Sequence, residues 1–375
     1  MSGADLVKVP FVDLGAQQSE IDDEVRLGLD RVFERTAFVG GPEVTAFENA
    51  YAAYVGADHC VGVGNGTDAL ELAMRAVGVR PGGEVIVPAN TFIATAEAAT
   101  RIGALPVPVD VDESHLLIDP AAVERALSAR TQAIVPVHLF GQSAFVEQLL
   151  PLASAAGIPV IEDAAQSQGA LRHGRAAGSL ATVAATSFYP GKNLGAAGDA
   201  GAVTTSDPEI ARTVRLLAAH GSETKYVHEV AGMNSRLDTI QAVVLSAKLA
   251  RLEKWNELRR QAADRYHRLL DGIPGIRLPE SAPGNVDVWH LYVVRVADRD
   301  RVLSALLDAG IGAGIHYPFP VHLTAAYASL GFGEGSFPVA EKAADTILSL
   351  PMFPHLNPEQ QEYVADVLAA AVRHG

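Results

Sequence analysis

The chain has 375 residues, which suggests two or three domains at roughly 150 residues for each. Hydrophobic residues make up 49% of it and charged residues 19%, a composition typical of a globular protein with a large core and not of a disordered or fibrous one. The 44 acidic residues outnumber the 29 basic ones and give a net charge of −15, so we expect no binding to nucleic acid or to an anionic membrane. The single cysteine, Cys60, permits no internal disulfide and indicates a reducing, cytoplasmic location.

Signals for export, membrane insertion and metal binding are weak along the sequence. Residues 1–10 lack the basic start and apolar core of a secretory signal, and no apolar stretch approaches the roughly 20 residues that cross a bilayer. One acidic turn, with Asp110, Asp112 and Glu113, has only His115 close by. We interpret it as a solvated turn and expect no metal site.

The first half of the chain alternates short apolar runs with helical patterns. Seven runs predict strands, at 57–63, 83–88, 105–109, 131–137, 158–162, 184–188 and 201–205. Helical spacing predicts helices between them at 67–79, 91–102, 120–127 and 145–156. Runs rich in Val and Ile in this order are typical of a mostly parallel sheet covered by helices on both faces, with the last strand a candidate for the antiparallel direction.

The pattern changes after residue 207. A long helical stretch covers 237–270 without any strand signal, and a segment with Pro and Gly follows at 272–284. Strand patterns at 289–296 and 310–316 then flank a helix at 299–309, and a final helix covers 358–372. We therefore predict a large α/β domain over 1–255, including the start of the connecting helix, and a small α+β domain over 256–375.

A lysine in a turn between two predicted strands is the first candidate for chemistry. Lys192 is one of only six lysines, and Gly191 and a run of small residues surround it. Among such neighbours a lysine can be partly desolvated, which lowers its pKa and makes the neutral amine available as a nucleophile. The alternative is a lysine in a flexible loop, which the residues around Lys192 favour when they are taken alone.

An aspartate at the end of a predicted buried strand is the second candidate. Asp163 lies where open α/β sheets bind their ligands, and a carboxylate there needs a cationic partner or several hydrogen bonds. A protonated pyridine nitrogen is one such partner, and Gln166 could contact the same ring. The alternative is that Asp163 caps a helix.

A glycine-rich turn at 64–67 leads directly into a predicted helix and is the third candidate. Free N–H groups at a helix N-terminus bind phosphate well, although an ordinary turn capped by Thr67 fits the same residues. Together, a phosphate cradle, an anion for a ring nitrogen and an amine for an aldehyde match the needs of pyridoxal 5′-phosphate, PLP.

At these residues the chain resembles the DegT/DnrJ/StrS family of PLP-dependent nucleotide-sugar aminotransferases. The likeness runs almost end to end, and its most specific motifs lie at 162–166, 187–195 and 232–238. The resemblance implies fold type I, the aspartate-aminotransferase fold, with a mostly parallel seven-stranded sheet in the large domain and a small C-terminal α+β domain. It also implies a PLP-dependent transaminase that passes through pyridoxamine 5′-phosphate.

The resemblance implies catalytic roles for two residues. Lys192 would hold PLP as a Schiff base and later move a proton between the sugar carbon and the cofactor. Asp163 would pair with the pyridinium nitrogen. Family members that dehydrate sugars carry His at the lysine position, so Lys192 favours amination.

Other positions match cofactor-binding residues of the family. Gln166 would contact the ring, Phe92 would stack on it, and Ser187 would bind the phosphate with the N–H groups of Gly66 and Thr67. Asn234 matches a residue that the neighbouring subunit donates to the phosphate, which implies a homodimer with shared active sites. From the residues alone, core packing is the better interpretation of Phe92, and Asn234 fits a turn residue between helices.

The resemblance implies glutamate as amino donor and a nucleotide-linked keto-sugar as acceptor. The segments 232–238, 289–292 and 314–322 look most like enzymes that aminate carbon 3 of a dTDP-3-keto-6-deoxyhexose, and amination of carbon 4 is the alternative. Candidate substrate-binding residues are Lys225, Tyr226, His316, Tyr317 and His322, although the last three also fit simple domain packing. A regulatory or sugar-sensing protein is the non-enzymatic alternative, which the net charge of −15 disfavours for DNA binding.

Overall fold

The computed structural model describes residues 8–373. Within them the chain forms twelve α-helices: α1 (Leu14–Ser19), α2 (Asp22–Arg35), α3 (Pro42–Val55), α4 (Gly66–Ala76), α5 (Ala94–Ile102), α6 (Pro120–Ala126), α7 (Val146–Ala156), α8 (Pro208–Ala218), α9 (Thr239–Leu270), α10 (Arg299–Asp308), α11 (Pro338–Thr346) and α12 (Pro358–Arg373). Two of them start at clear sequence signals, because Asp119 and Asp207 cap the N-termini of α6 and α8 and a proline follows each aspartate.

The same residues form thirteen strands: β1 (His59–Val63), β2 (Glu84–Pro88), β3 (Leu105–Val109), β4 (Thr131–Ile134), β5 (Ile161–Asp163), β6 (Leu171–Arg172), β7 (Arg175–Ala176), β8 (Val183–Ser187), β9 (Gly201–Thr205), β10 (Ile276–Arg277), β11 (Asn285–Val286), β12 (Tyr292–Val296) and β13 (Ile347–Leu350). The seven strands predicted in the first half of the chain are all present, as β1 to β5, β8 and β9. Their ends differ from the predicted ones by no more than three residues.

These seven strands form two ladders. One has the order β1-β9-β8-β5, and the other has the order β3-β2-β4. All pairs are parallel except those that β9 makes with β1 and β8, which are antiparallel. Isolated parallel bridges, Ile134 with Val160 and Val137 with Asp163, join β4 to β5 between the ladders. The seven strands therefore form two hydrogen-bonded ladders of mixed strand direction, linked by two isolated bridges, and not the single sheet that the resemblance implies.

Helices cover both faces of these ladders. Successive residues of β2 belong to different apolar clusters: Val85 and Val87 pack under α4, α5 and α8, whereas Ile86 packs under α6 and α7. Every residue of β2 and β9 is buried, as expected for strands covered on both sides. The carboxyl ends of β5 and β8 are left free to face a cavity.

Helix α9 connects this layer to the C-terminal part of the chain. It has 32 residues and continues without interruption through the predicted boundary at 255/256. Asn256 Nδ2 on it donates to Gln168 O on the large-domain side (2.9 Å), and Arg259 Nη1 donates to Met352 O on the other side (2.9 Å). The helix therefore belongs to both parts.

The C-terminal part contains the antiparallel sheet β10-β12-β13, packed against α10 and α12. The predicted strand at 310–316 is wrong, because Ile311 and Gly314 make only isolated bridges. Glycines at 310, 312 and 314 weaken a strand there, and β13 takes the place beside β12. Across residues 8–373, no helix is both long enough and apolar enough to span a bilayer.

Candidate active site

A cavity of about 740 Å³ lies at the carboxyl ends of β5 and β8, where the C-terminal part of the chain covers the sheet. It brings together most of the residues that the sequence singles out, from segments far apart in the chain. Those in its lining are Gly66, Thr67, Phe92, Asp163, Gln166, Ser187, Lys192, His316 and Tyr317. The position agrees with the rule that open α/β sheets bind ligands beyond the carboxyl ends of their strands.

Lys192 lies in the turn between β8 and β9, and its backbone N–H donates to Tyr189 O (2.8 Å). The turn is therefore ordered by its own backbone and not a free loop. Burial lowers the pKa of Lys192 to about 8, while the negative charge of Asp163 acts in the opposite direction. Near neutral pH a usable fraction of the amine is neutral and can act as a nucleophile.

Asp163 is the last residue of β5 and is buried. Its Oδ2 accepts from Thr95 Oγ1 (2.7 Å) and its Oδ1 accepts from the backbone N–H of Ala165 (3.2 Å). Burial raises the pKa of Asp163 above the ordinary value. No helix follows β5, since residues 164–169 form turns, so the helix-cap interpretation is wrong. A buried carboxylate facing a cavity suits a cationic ring nitrogen.

The N-terminus of α4 faces the same cavity beside Ser187. The cap of this helix is Asn65, whose Oδ1 accepts from Asp68 N (2.8 Å), and not Thr67. The N–H groups of Gly66 and Thr67, in the first turn, therefore lack acceptors within the helix. A Cβ at residue 66 would lie 2.6 Å from Ser187 Cβ, so glycine is required for this approach. The residues present fit a phosphate group.

Two aromatic rings and an amide form another part of the wall. The Phe92 and Tyr317 rings are 5.3 Å apart, and Phe92 is 51% exposed, towards the cavity that it lines. Gln166 Oε1 accepts from Phe140 N (2.6 Å), and its Nε2 donates to Tyr317 Oη (3.1 Å). These bonds fix the amide beside Asp163. An exposed phenylalanine suits stacking on a ring better than core packing.

His316 is the predicted substrate-binding histidine that faces the cavity. Its Nδ1 lies 2.8 Å from Ser349 Oγ, and its ring stacks on Phe11 at 5.5 Å. Burial and the nearby charge of Lys192 lower the pKa of His316 to about 4. The imidazole is therefore neutral at physiological pH and can accept or donate a hydrogen bond.

Four predicted residues lie outside the cavity lining. His322 is buried against Phe337, and its Nε2 bonds Glu341 Oε1 (3.0 Å), which is a packing role in one protomer. Lys225, Tyr226 and Asn234 are exposed on the segment between α8 and α9. The next residue, Ser235, bonds Asp68 Oδ2 of α4 (2.8 Å), so this segment is held against the helix that carries Gly66.

The sequence reasoning missed several residues of the lining, among them Tyr189, Arg101, Asp199 and His290. Thr95, which bonds Asp163, was missed as well. A weak signal existed for Thr95, since it lies four residues after Thr91 at the start of a predicted helix and therefore on the same face. His290 lies within a segment that the family resemblance already includes.

Comparison with known proteins identifies the family of the chain. A model of the DegT/DnrJ/EryC1/StrS aminotransferase family matches residues 19–369. The "Erythromycin biosynthesis sensory transduction protein EryC1" of Saccharopolyspora erythraea is 49% identical, over 96% of this chain and 99% of that protein. The "dTDP-3-amino-3,4,6-trideoxy-alpha-D-glucose transaminase" of Streptomyces venezuelae is 48% identical, over 98% of this chain and 97% of that protein.

The fold is also similar to a solved structure from the same organism. The crystal structure of S. venezuelae DesV in complex with a ketimine intermediate superposes with a TM-score of 0.95 at 48% identity, covering 97% of this chain and 98% of that one. Both the sequence match and the structural match extend over nearly the whole chain. The chain therefore belongs to the DegT/DnrJ/EryC1/StrS aminotransferase family.

Proposed function

We propose that this protein transfers an amino group from glutamate to carbon 3 of a nucleotide-linked 3-keto-6-deoxyhexose. It is a PLP-dependent sugar aminotransferase of its family, as the sequence predicts. The observation that carries the proposal is the presence of a partly neutral amine, Lys192, and a buried carboxylate, Asp163, in one cavity.

The residues that line the cavity match the parts of PLP in their chemistry. Gly66, Thr67 and Ser187 would hold the phosphate, and Asp163 would hold the ring nitrogen. Phe92 would cover the ring face, with Gln166 at the ring edge. When bound, PLP supplies an aldehyde that takes up the amino group and a ring that accepts electrons from the reacting carbon.

The chain's own residues bind, orient and move protons around that group. Lys192 Nζ is the candidate base and acid, because its pKa of about 8 lets it give up and regain a proton near neutral pH. His316, neutral because of its low pKa, orients substrate hydroxyls without adding charge. Tyr317, held by Gln166, narrows the cavity opposite Phe92.

The choice of a dTDP-linked sugar and of carbon 3 is supported by the name of the S. venezuelae relative, a dTDP-3-amino-sugar transaminase. Amination at carbon 4 is the alternative. The test is an assay of the purified enzyme with glutamate and a panel of dTDP-3-keto and dTDP-4-keto sugars, with products identified by mass spectrometry. Formation of a 3-amino sugar supports the proposal, whereas exclusive turnover of 4-keto sugars would contradict the carbon assignment.

We also infer a homodimer located in the cytoplasm. Large apolar side chains, Phe33, Phe38 and Val39, are 40–56% exposed near the start of α9, which is unusual for a free surface. Asn234 and Tyr226 are exposed on the segment before this helix. A second subunit that covers the patch would bury the apolar residues and receive Asn234 in its own site. Sedimentation at micromolar protein concentration distinguishes dimer from monomer.

The division of the chain into domains 1–255 and 256–375 is part of the same proposal. Separate apolar clusters on either side of the sheet layers and in the C-terminal part support it. The two isolated bridges between β4 and β5 support the placement of both ladders in the first of these domains. Amide hydrogen exchange tests both points, because strands of one cooperative domain should open together.

A regulatory function is the second candidate, since the S. erythraea relative is described as a sensory transduction protein. The net charge of −15 disfavours direct DNA binding. A gel-shift titration against salt decides, because binding through DNA phosphates must weaken as salt rises.

A further inference from the structure

Asp163 has to stay ionised in a buried position if it is to pair with a cationic ring nitrogen. Burial works against this, since it favours the neutral carboxyl. Its titratable neighbours are Lys192, His138 and Tyr317. Of these, Lys192 supplies a positive charge only while its amine is protonated. A hydrogen-bond donor that does not titrate would therefore help to keep the Asp163 carboxylate ionised.

His138 is not that donor. Its Nδ1 accepts from the backbone N–H of Ala144 (3.0 Å), so its proton is on Nε2, which donates to Glu162 Oε2 (2.8 Å). Glu162 also receives the backbone N–H groups of residues 178, 180 and 181. Both nitrogens of the His138 imidazole therefore have partners in a separate buried network, and neither donates to Asp163. Tyr317 Oη accepts from Gln166 Nε2 (3.1 Å), and among residues 8–373 it makes no hydrogen bond to Asp163.

Thr95 is placed to be the donor that does not titrate. Its Oγ1 lies 2.7 Å from Asp163 Oδ2, and the residue is fully buried. The other oxygen of Asp163 receives only the longer bond from Ala165 N (3.2 Å). Thr91 is also buried, and its Oγ1 lies 2.9 Å from Thr95 Oγ1.

Because the Thr95 hydroxyl has a single proton, it can donate in only one of its two hydrogen bonds, those with Asp163 and Thr91. An ionised Asp163 can only accept, so Thr95 must donate to it and must itself accept from Thr91. We propose that Thr95 is a positioning residue for the cofactor, which holds Asp163 ionised and oriented towards the ring nitrogen by donating its hydroxyl proton to Asp163 Oδ2. This inference rests on the proposed function, since it assumes that PLP binds at Asp163.

The same residue links Asp163 to the predicted stacking ring. The backbone N–H of Thr95 donates to the carbonyl oxygen of Phe92 (3.2 Å), so Phe92 and the Asp163 contact belong to one turn at the start of α5. Thr95 therefore connects the group beneath the ring nitrogen to the group on the ring face.

The test measures cofactor binding and not turnover. Full-length protein loaded with PLP is diluted into buffers from about pH 5 to about pH 9, and bound PLP is read from its visible absorbance. Thr95→Val removes the donor. Hydrogen bonds to charged groups are worth enough for roughly 10-fold weaker PLP binding or more. The pH at which half of the PLP is lost should also rise by about one unit, because Asp163 takes up a proton more readily.

Three further variants separate this role from packing. Thr95→Ser keeps the hydroxyl and should restore both values, while Thr91→Val leaves the bond to Asp163 in place and should stay near the wild type. The double variant with Val at both positions removes the unpartnered hydroxyl that Thr95→Val leaves at Thr91. If the double variant recovers wild-type binding, or if Thr95→Val matches Thr91→Val, the proposal is overturned. If the wild-type protein itself fails to bind PLP, it is the proposed function that fails.

Discussion

Two regions that the sequence assigns to one active site differ in how the chain supports them. Around β5 and β8 lies the enclosed region, where Asp163 is buried, Lys192 is half-buried, and the groups beside them are held by hydrogen bonds within the protomer. On the segment between α8 and α9, Lys225, Tyr226 and Asn234 are exposed and outside the cavity. Around β5 and β8, a single chain is enough to bring the candidate cofactor-binding residues together in one cavity. The exposed segment lies outside the cavity of its own chain, and our proposal places it in the site of a second subunit.

The strongest challenge to the enclosed region is Lys192→Ala. Transamination should fall by a factor on the order of 10³ or more, because no other amine lines the cavity among residues 8–373. The measurement is single-turnover kinetics together with thermal unfolding. Lys248→Met is the matched control, since burial also lowers the pKa of Lys248 to about 8 but the residue lies on α9 outside the cavity. Retained turnover in Lys192→Ala would refute the assigned role.

Asp163→Asn tests the other enclosed group. Loss of the negative charge under the ring nitrogen should lower kcat/KM by about 100-fold, since a charged pair is replaced by a neutral one. Asp287→Asn provides the control, because Asp287 is also a buried aspartate, whose pKa is raised to about 6 by burial, in a different part of the molecule. Equal effects of the two substitutions would mean that Asp163 is only structural.

The exposed segment is tested by mixing subunits. Asn234→Ala should weaken PLP binding by roughly 10-fold if its amide reaches the phosphate of a partner's site. A heterodimer of an Asn234→Ala subunit and a Lys192→Ala subunit has one site with both defects and one intact site. Random mixing should therefore restore about a quarter of wild-type activity. No recovery on mixing would place Asn234 and Lys192 in the same subunit's site, or in none.

The smallest effect is expected at His322, which the sequence groups with His316 and Tyr317. His322→Gln should leave KM within about twofold and lower the free energy of unfolding by about 1 kcal/mol, because the bond to Glu341 is lost. The corresponding change at His316 should raise KM for the sugar. Steady-state kinetics on both variants, with chemical denaturation, separates packing from substrate binding. A large rise in KM for His322→Gln would instead show that His322 binds the substrate.

Features that depend on residues close together in the sequence could be predicted, whereas contacts between residues far apart in the sequence could not. Local runs of Val and Ile predict buried strands such as β2, and a glycine before a helical pattern predicts the turn at Gly66. The bond between Thr95 and Asp163 joins residues 68 apart, and only folding brings them together. The sequence pattern predicts none of the helices α1 to α3, because they lie before the first strand of the alternating strands and helices.

The segment 310–322 shows the same limit at closer range. The sequence predicts a strand at 310–316, which does not form, and it groups His316, Tyr317 and His322 together at the substrate. A short 3₁₀ turn at Val321–Leu323 places His322 against Phe337 while His316 lies in the cavity. Spacing along the sequence could not reveal that turn.

The unbroken helix α9 has a mechanical consequence. At 1.5 Å of rise per residue, its 32 residues form a rod about 48 Å long, and both halves of the molecule are fastened to it through Asn256 and Arg259. The two parts of the chain therefore cannot rotate relative to each other about α9 unless this helix bends. We therefore expect the enzyme to discriminate among sugars through a cavity whose shape is already formed before the substrate binds.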